Sequence, residues 1–520
     1  RHALDRAMAA GHSGLPAGRL LAEAGRLAGV AADDPDLAAA LGALDADGML
    51  ADVGGVRMLP EVREAEWALA ERLATMARVP RGLGAAERAA VAPLVAAAGL
   101  SPAQRGAVWA ALGHGVSVLT GRPGSGKTTT LRTVLAACRA LGWAVQVVAP
   151  TGKAASRAAA VTRVPAGTVH RLLGGGPGGA APPGRTGARI RARFVVVDEA
   201  SLCDLETAAW LASALDPART QVLWTGDADQ LPSVGHGQVL ADLIASGGVP
   251  VTRLTEVFRQ AAGSRIVTNA HALLDRAPLR LDDAPDWRTV DLGACPPAAA
   301  AAMLLDAVGA LVAEGVDPAT ELQVLAPTRG GALGVDALNA RLQAALNPAG
   351  AAGPLVGGGV RARLGDRVVM TRNLYDLPAP LYNGETGVVV GHDARALALT
   401  VRVDDGREAT LRGVQCLMLR LAWAVTVHRA QGSEYPHVVL AYDHRAHAPL
   451  LDPGVLYTGI TRARARLTLV GTREAVRRTQ TAAGRRVRHT GLGRQLRDAL
   501  ALDAAPNRPA ATRTTRRDAA

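Results

Sequence analysis

Gly121-Arg122-Pro123-Gly124-Ser125-Gly126-Lys127-Thr128 stands between an apolar run at residues 115–120 and a segment that reads as a helix. A G-x-x-x-x-G-K-T pattern in a strand-to-helix setting is a phosphate loop. The glycines let backbone N–H groups wrap phosphates, and the N-terminus of the following helix favours their charge. Lys127 is expected to bridge the β- and γ-phosphates of ATP and the Thr128 hydroxyl to ligate Mg²⁺. Gly121, Gly124, Ser125, Gly126 and Thr129 complete the expected nucleotide site.

Composition singles out the same residue. The chain of 520 residues carries 58 basic side chains, yet only Lys127 and Lys153 are lysines. A coding bias that writes arginine wherever either will do leaves lysine where a compact ammonium is required and a planar guanidinium will not serve. The formal charge of +12 favours a polyanionic partner. Four cysteines with no C-x-x-C pair give neither a zinc site nor a disulfide framework. No apolar run approaches the ~20 residues of a membrane span. The expectation is a soluble, cytoplasmic protein. The start at Arg1, without methionine, points to an N-terminally truncated chain.

Outward from the loop, short apolar runs at 144–149, 194–197 and 221–225 alternate with helical segments. That alternation predicts an α/β unit over 96–255 with a parallel sheet and ligands at the carboxyl ends of its strands. The run Phe194-Val195-Val196-Val197 delivers Asp198 and Glu199 at its tip. Asp198 would hold Mg²⁺ and Glu199 would polarise the attacking water. The stretch 226–234 follows the next strand, and its Gln230 can sense the γ-phosphate without carrying charge. A second α/β unit spans 256–355 and 420–475, interrupted by a β-rich segment at 356–419 that reads as a small barrel. Arg259 and Arg462 in this unit are candidate arginine fingers, able to tie cleft closure to nucleotide state. A single-domain kinase or GTPase switch would lack this second unit.

The ordered set resembles superfamily 1 helicases of the RecD-like kind, over roughly residues 10 to 475. Leu100-Ser101-Pro102-Ala103-Gln104 resembles the family's adenine-reading segment. Pro150-Thr151-Gly152-Lys153 and Thr168-Val169-His170-Arg171 resemble its strand-contacting motifs. Val427-His428-Arg429-Ala430-Gln431-Gly432-Ser433-Glu434 resembles the fifth motif and residues 456–464 the sixth. The resemblance implies two RecA-like domains, an SH3-like insert, and 5′-to-3′ movement on single-stranded DNA and its junctions with duplex, by a monomeric motor. Phosphate and stacking contacts serve RNA as well, so an RNA helicase stays open on residues alone. The expected DNA contacts are Thr151, Lys153, Thr168, His170, Thr426 and His428, with a packed histidine as the alternative at His170.

The family usually has lysine where Arg429 stands; arginine keeps the charge. Its strand-separating hairpin falls near 174–190, here rich in Gly and Pro without an aromatic, which implies poorer unwinding than translocation. Residues 1–95 read as a small helical packing domain, with apolar spacing over 16–28, 36–44 and 61–76 and a hairpin around Gly54-Gly55. Residues 476–520 read as a basic, disordered tail.

Overall fold

The structure is a computed structural model that describes residues 1–174, 189–256, 263–374, 376–378, 380–393, 395–481 and 487–502. Five helices occupy the N-terminal part: His2–Ala9, Ala17–Ala28, Pro35–Ala46, Pro60–Arg78 and Ala85–Ala97. Among them a small antiparallel sheet forms from β1 (Leu15–Pro16), β2 (Ala51–Val53) and β3 (Val56–Met58), the last two joined at Gly54-Gly55.

The first α/β unit is a six-stranded, all-parallel sheet. Its strands are β4 (Val116–Gly121), β5 (Val145–Ala149), β6 (Ala166–Thr168), β7 (Phe194–Val197), β8 (Gln221–Gly226) and β9 (Val251–Leu254), in the order β6-β5-β7-β8-β4-β9. Strands β4, β7 and β8 are buried along their whole length, which is why they read as continuous apolar runs rather than alternating ones. The loops that carry Lys127, Thr151, Asp198 and Gln230 leave the carboxyl ends of β4, β5, β7 and β8.

The second unit holds β10 (Trp287–Asp291) and β11 (Leu322–Ala326), then a β-rich excursion, then β19 (Ala424–Thr426), β20 (Tyr435–Tyr442) and β21 (Ala463–Gly471). These five strands form a parallel sheet in the order β10-β21-β20-β11-β19. The excursion contains the antiparallel pair β12 (Ala352–Val356) and β13 (Val360–Arg363). It continues with β14 (Arg367–Met370), β15 (Thr386–Asp393), β16 (Ala398–Val403), β17 (Glu408–Arg412) and β18 (Leu419–Leu421). The last five make an antiparallel sheet, β17-β16-β15-β14-β18.

Two expectations need correction. The N-terminal helices are not a separate packing domain. Leu4, Leu69, Leu73 and Met76 lie in one continuous core with Val116, Val195 and Trp224 of the first sheet. Arg72, on helix Pro60–Arg78, also donates to the carbonyls of Ala212 and Leu215. Nor does disorder begin at 476. Helix Arg473–Thr481 continues past that point, and Leu492–Leu502 forms a further helix whose Leu492, Leu496 and Ala499 are buried in that same core. Its arginines and alanines disguise an apolar i, i+4, i+7 stripe. Residues 503–520 lie outside the described residues. Among the described residues no helix is long and apolar enough to cross a membrane.

Candidate nucleotide and nucleic-acid site

The phosphate loop connects β4 to helix Lys127–Ala140. Gly124 and Gly126 have φ of +75° and +80°, a left-handed conformation that side chains resist. At Gly121 a Cβ would lie 2.5 Å from Ser125 Oγ and 2.9 Å from Leu254 Cβ, so the loop closes only on glycine. Lys127 Nζ donates to the carbonyl of Gly121, and Ser125 Oγ is buried with no hydrogen-bond partner. Thr128 and Thr129 are exposed at the start of the helix.

Gln104 sits beneath the loop. Its Oε1 accepts from Ser101 N (2.9 Å), and its amide nitrogen donates to the carbonyls of Ser125 (3.3 Å) and Gly126 (3.4 Å). The amide expected to face a base is therefore engaged at both ends, its oxygen capping its own helix and its nitrogen supporting the loop.

Asp198 and Glu199 follow β7, where the sequence puts them. Burial, reinforced by Glu199, pushes the Asp198 carboxyl above its ordinary range. Glu199 takes a left-handed backbone (φ 51°) and accepts from Arg157 Nη1 at 2.9 Å. The other arm of Arg157 donates to Glu434 of the second unit. Burial opposes charge on this guanidinium, but Glu434, Glu199 and Asp198 outweigh it and hold its pKa above the ordinary value. Sequence reasoning passed over Arg157, although it lies one helical turn beyond Lys153 and thus on the same face.

The 226–234 loop is stitched to the second unit. Tyr457 Oη donates to Asp227 Oδ2 (2.7 Å), Thr458 Oγ1 accepts from Leu231 N (3.0 Å), and Gln431 Nε2 donates to Leu231 O (2.7 Å). Gln230 donates to Asp227 Oδ2 at 3.3 Å, while its Oε1 is buried without a partner. Arg122, inside the phosphate loop, reaches Asp275 (2.8 Å) and His271 (3.3 Å) just before the second sheet.

Arg462, the other candidate finger, is engaged inside its own unit. It is buried, and it donates to the carbonyls of Thr458 (3.0 Å) and Ser433 (2.8 Å) and to Thr461 Oγ1 (3.1 Å), all within its own unit. A desolvated guanidinium takes the nearest carbonyls. Arg259 lies outside the described residues, as do residues 175–188 of the expected hairpin.

Of the expected DNA contacts, Thr151, Thr168 and Thr426 each accept a backbone N–H from three residues on and so shape the loop they sit in. His170 packs edge-on against Trp210 at 5.2 Å, favouring the packed-histidine alternative. Lys153, expected to contact DNA, is engaged within the protein. Its ammonium lies 4.9 Å over the Tyr435 ring and donates to Tyr435 Oη (3.1 Å) and Thr386 Oγ1 (3.2 Å). It joins the first unit to β20 and to the inserted sheet.

With this geometry in view, the chain can be placed among known proteins. Over 440 residues it is 33% identical to the RecBCD enzyme subunit RecD of Mycobacterium tuberculosis, covering 76% of this chain and 72% of that relative. The chain belongs to the RecD helicase family. The ATP-dependent RecD2 DNA helicase of Deinococcus radiodurans is 38% identical over 479 residues. That match takes in 91% of this chain, which spans 62% of the relative's length. Two family descriptions also match, an AAA domain over residues 99–284 and a UvrD-like helicase C-terminal domain over 421–470. A Bacteroides Pif1 structure bound to single-stranded DNA is 19% identical, covering 71% of this chain and 92% of that one, with a TM-score of 0.43.

Within the RecD framework one further feature went unread in the sequence. A groove of about 640 Å³ opens between β19, helix Val335–Leu346 and the inserted strands, lined by Arg329, Arg372, Arg420, Arg429 and Thr426, with Asp336 as the one acid among its described lining residues. Burial, with Arg329 and Arg420 nearby, lowers the pKa of Arg429. Asp336 offsets part of this crowding of like charge, pairing with Arg329 (3.5 Å) and Arg420 (3.6 Å), and a bound anion would relieve more of it. The arginines come from positions about 100 residues apart, so no local pattern announces them.

Proposed function

We propose that this chain is an ATP-hydrolysing motor that moves 5′ to 3′ along single-stranded DNA and opens duplex at single-strand junctions, in the service of DNA repair or recombination. One observation carries the reading: the phosphate-loop unit's reactive loops are bonded across to the second unit. Arg157 joins Glu199 to Glu434, and Tyr457, Thr458 and Gln431 hold the loop of Gln230. Hydrolysis in such a cleft changes the relation of the two units, which is what stepping requires.

The residues fit ATP. Buried Ser125 Oγ and Gln230 Oε1 lack partners that a nucleotide's phosphates and the attacking water would supply. Lys127, held now by the Gly121 carbonyl, would turn to the β- and γ-phosphates. The Thr128 hydroxyl and the Asp198 carboxylate are the donors for Mg²⁺, which when bound neutralises phosphate charge. Glu199 orients and polarises the attacking water, and Arg157 holds Glu199 in place. Arg462 fixes the loops of Ser433 and Thr458 that face the first unit, and Arg259 keeps the finger role. The RecD2 relative is a DNA helicase, which favours DNA over RNA as the track. Its phosphates would run along the Thr426–Arg429 groove, a cationic track of the kind single strands use. The sheet β17-β16-β15-β14-β18 would serve as the SH3-like insert, and the cytoplasm as the place of work.

The test is ATP turnover with and without single-stranded DNA, for the wild type and Lys127→Ala. Stimulation by the polymer, abolished by the substitution, is expected. Turnover indifferent to DNA, or surviving Lys127→Ala, overturns the proposal.

A further inference from the structure

Resting on that reading, we infer that Arg488 is a positioning residue for coupling. From a C-terminal strap it holds the turn that continues the Gln230 loop in the shape from which the second unit grips it at Leu231. The chain leaves the second sheet through helix Arg473–Thr481, yet by Arg488 it is bonded to the first unit. The Arg488 guanidinium fills the concave side of the 233–237 turn. Nη1 donates to the carbonyls of Gly237 (2.6 Å) and Gly235 (2.9 Å) and to Ser233 Oγ (3.1 Å), and Nη2 donates to Ser233 O (2.5 Å). Burial lowers the pKa of this guanidinium, and Asp204 offsets part of that. A lone arginine spanning three carbonyls of one turn acts as a template for its shape, since the planar fork offers donors at fixed angles.

The turn it shapes is the continuation of the Gln230 loop. Leu231, two residues before Ser233, is the point where Thr458 and Gln431 of the second unit attach. The loop is therefore held at Leu231 by the second unit and at 233–237 by Arg488.

The strap is itself anchored to the first unit's core. His489 N donates to His12 Nδ1, Ser13 N donates to the His489 carbonyl, and Thr490 Oγ1 donates to Asp242. Gly491 N and Gln495 both donate to the buried Glu66. Helix Leu492–Leu502 then lies against helices Pro60–Arg78 and Val239–Ser246. Gly11 closes over the guanidinium from the N-terminal side. Its φ is +94°, a Cβ there would meet Arg488 Cζ at 2.4 Å, and its carbonyl accepts from Gly237 N. The fork is thus enclosed by the N-terminal segment on one side and the turn on the other. A purely structural tether needs only the apolar helix. A guanidinium aimed at the Ser233, Gly235 and Gly237 carbonyls, on the turn that continues the Gln230 loop, adds control of that loop.

The experiment compares Arg488→Ala and Arg488→Lys with the wild type in the full chain. Turnover is measured against ATP and against single-stranded DNA, and the thermal midpoint is recorded. Arg488→Ala is expected to lower DNA-stimulated kcat about tenfold with KM for ATP within about twofold, a coupling of ordinary size. Arg488→Lys, keeping charge and one or two of the bonds, is expected to restore the midpoint but only part of the stimulation. Wild-type turnover that ignores DNA removes the parent reading. Normal stimulation in the wild type and equally in Arg488→Ala, whatever the midpoint does, overturns this inference alone. Full recovery of stimulation by lysine shows that charge suffices and refutes the template.

Discussion

Tyr457→Phe tests the join between the units with a single atom. The phenol is fully buried, its hydroxyl donates to Asp227 Oδ2 at 2.7 Å, and Asp227 is itself 2% exposed. Burial and the adjacent Asp227 carboxylate hold the phenol protonated by raising its pKa. Removing the hydroxyl leaves Asp227 Oδ2 with the longer Gln230 amide contact at 3.3 Å. A buried hydrogen bond to a carboxylate contributes about 1.5–3 kcal/mol. Thr458 and Gln431 still hold Leu231, so the loop keeps two of its three described ties to the second unit and the lower end of that range applies. The expected result is a fall of about tenfold in DNA-stimulated kcat, since ~1.4 kcal/mol is a decade in rate. KM for ATP should move less, because the hydroxyl bonds Asp227 and not the phosphate loop. Steady-state turnover over a titration of oligonucleotide provides the readout. Combining the change with Thr458→Ala should be non-additive, as both residues anchor one loop. A kcat within twofold of wild type at saturating DNA would refute the claim that this contact transmits anything.

Three further outcomes follow from the same structure. Burial raises the Glu66 carboxyl from 4.5 to about 7. The folded state therefore holds that proton more tightly than the unfolded one, and stability is present at low pH and lost as pH rises through about 7. Glu66→Gln should flatten the fall in thermal midpoint over that window, leaving a residue of slope from Asp242, which burial also raises to about 7; an unchanged slope contradicts it. Leu496→Ala opens a cavity where the strap helix meets the core, at 0% exposure, and should cost about 3 kcal/mol. Limited proteolysis should then cut the C-terminal segment faster, and equal resistance would speak against a docked strap. Arg429→Ala should reduce the salt dependence of oligonucleotide binding by about 0.7 in logarithmic slope, one phosphate contact on a single strand. An unaltered slope with unaltered affinity removes the groove from the track.

The sequence was most legible where one physical rule acts alone. Strands β4, β7 and β8 are buried on both faces, so their apolar runs gave their positions to within a residue. The loops that follow β4, β7 and β8 carry Lys127, Asp198 and Gln230 because a parallel sheet gathers them at one edge. Head-group partners were not legible in this way. Gln104, Lys153 and Arg462 occupy family positions, yet their hydrogen bonds go to Ser125, Tyr435 and Ser433, choices made by tertiary neighbours. Arg157 was readable in principle, four residues beyond Lys153 on one helix face. The strap was readable too, since Leu492, Leu496 and Ala499 are spaced as a helix stripe, but an arginine-rich composition drew attention to charge instead.

The central claim is directed movement powered by ATP, and displacement of streptavidin from biotinylated oligonucleotides tests it most directly. With ATP and Mg²⁺, release from a 3′-biotin and little above the spontaneous rate from a 5′-biotin is the predicted result, lost in Lys127→Ala. Release from the 5′ end would reverse the polarity, and ATP consumption without release from either end would contradict the motor itself.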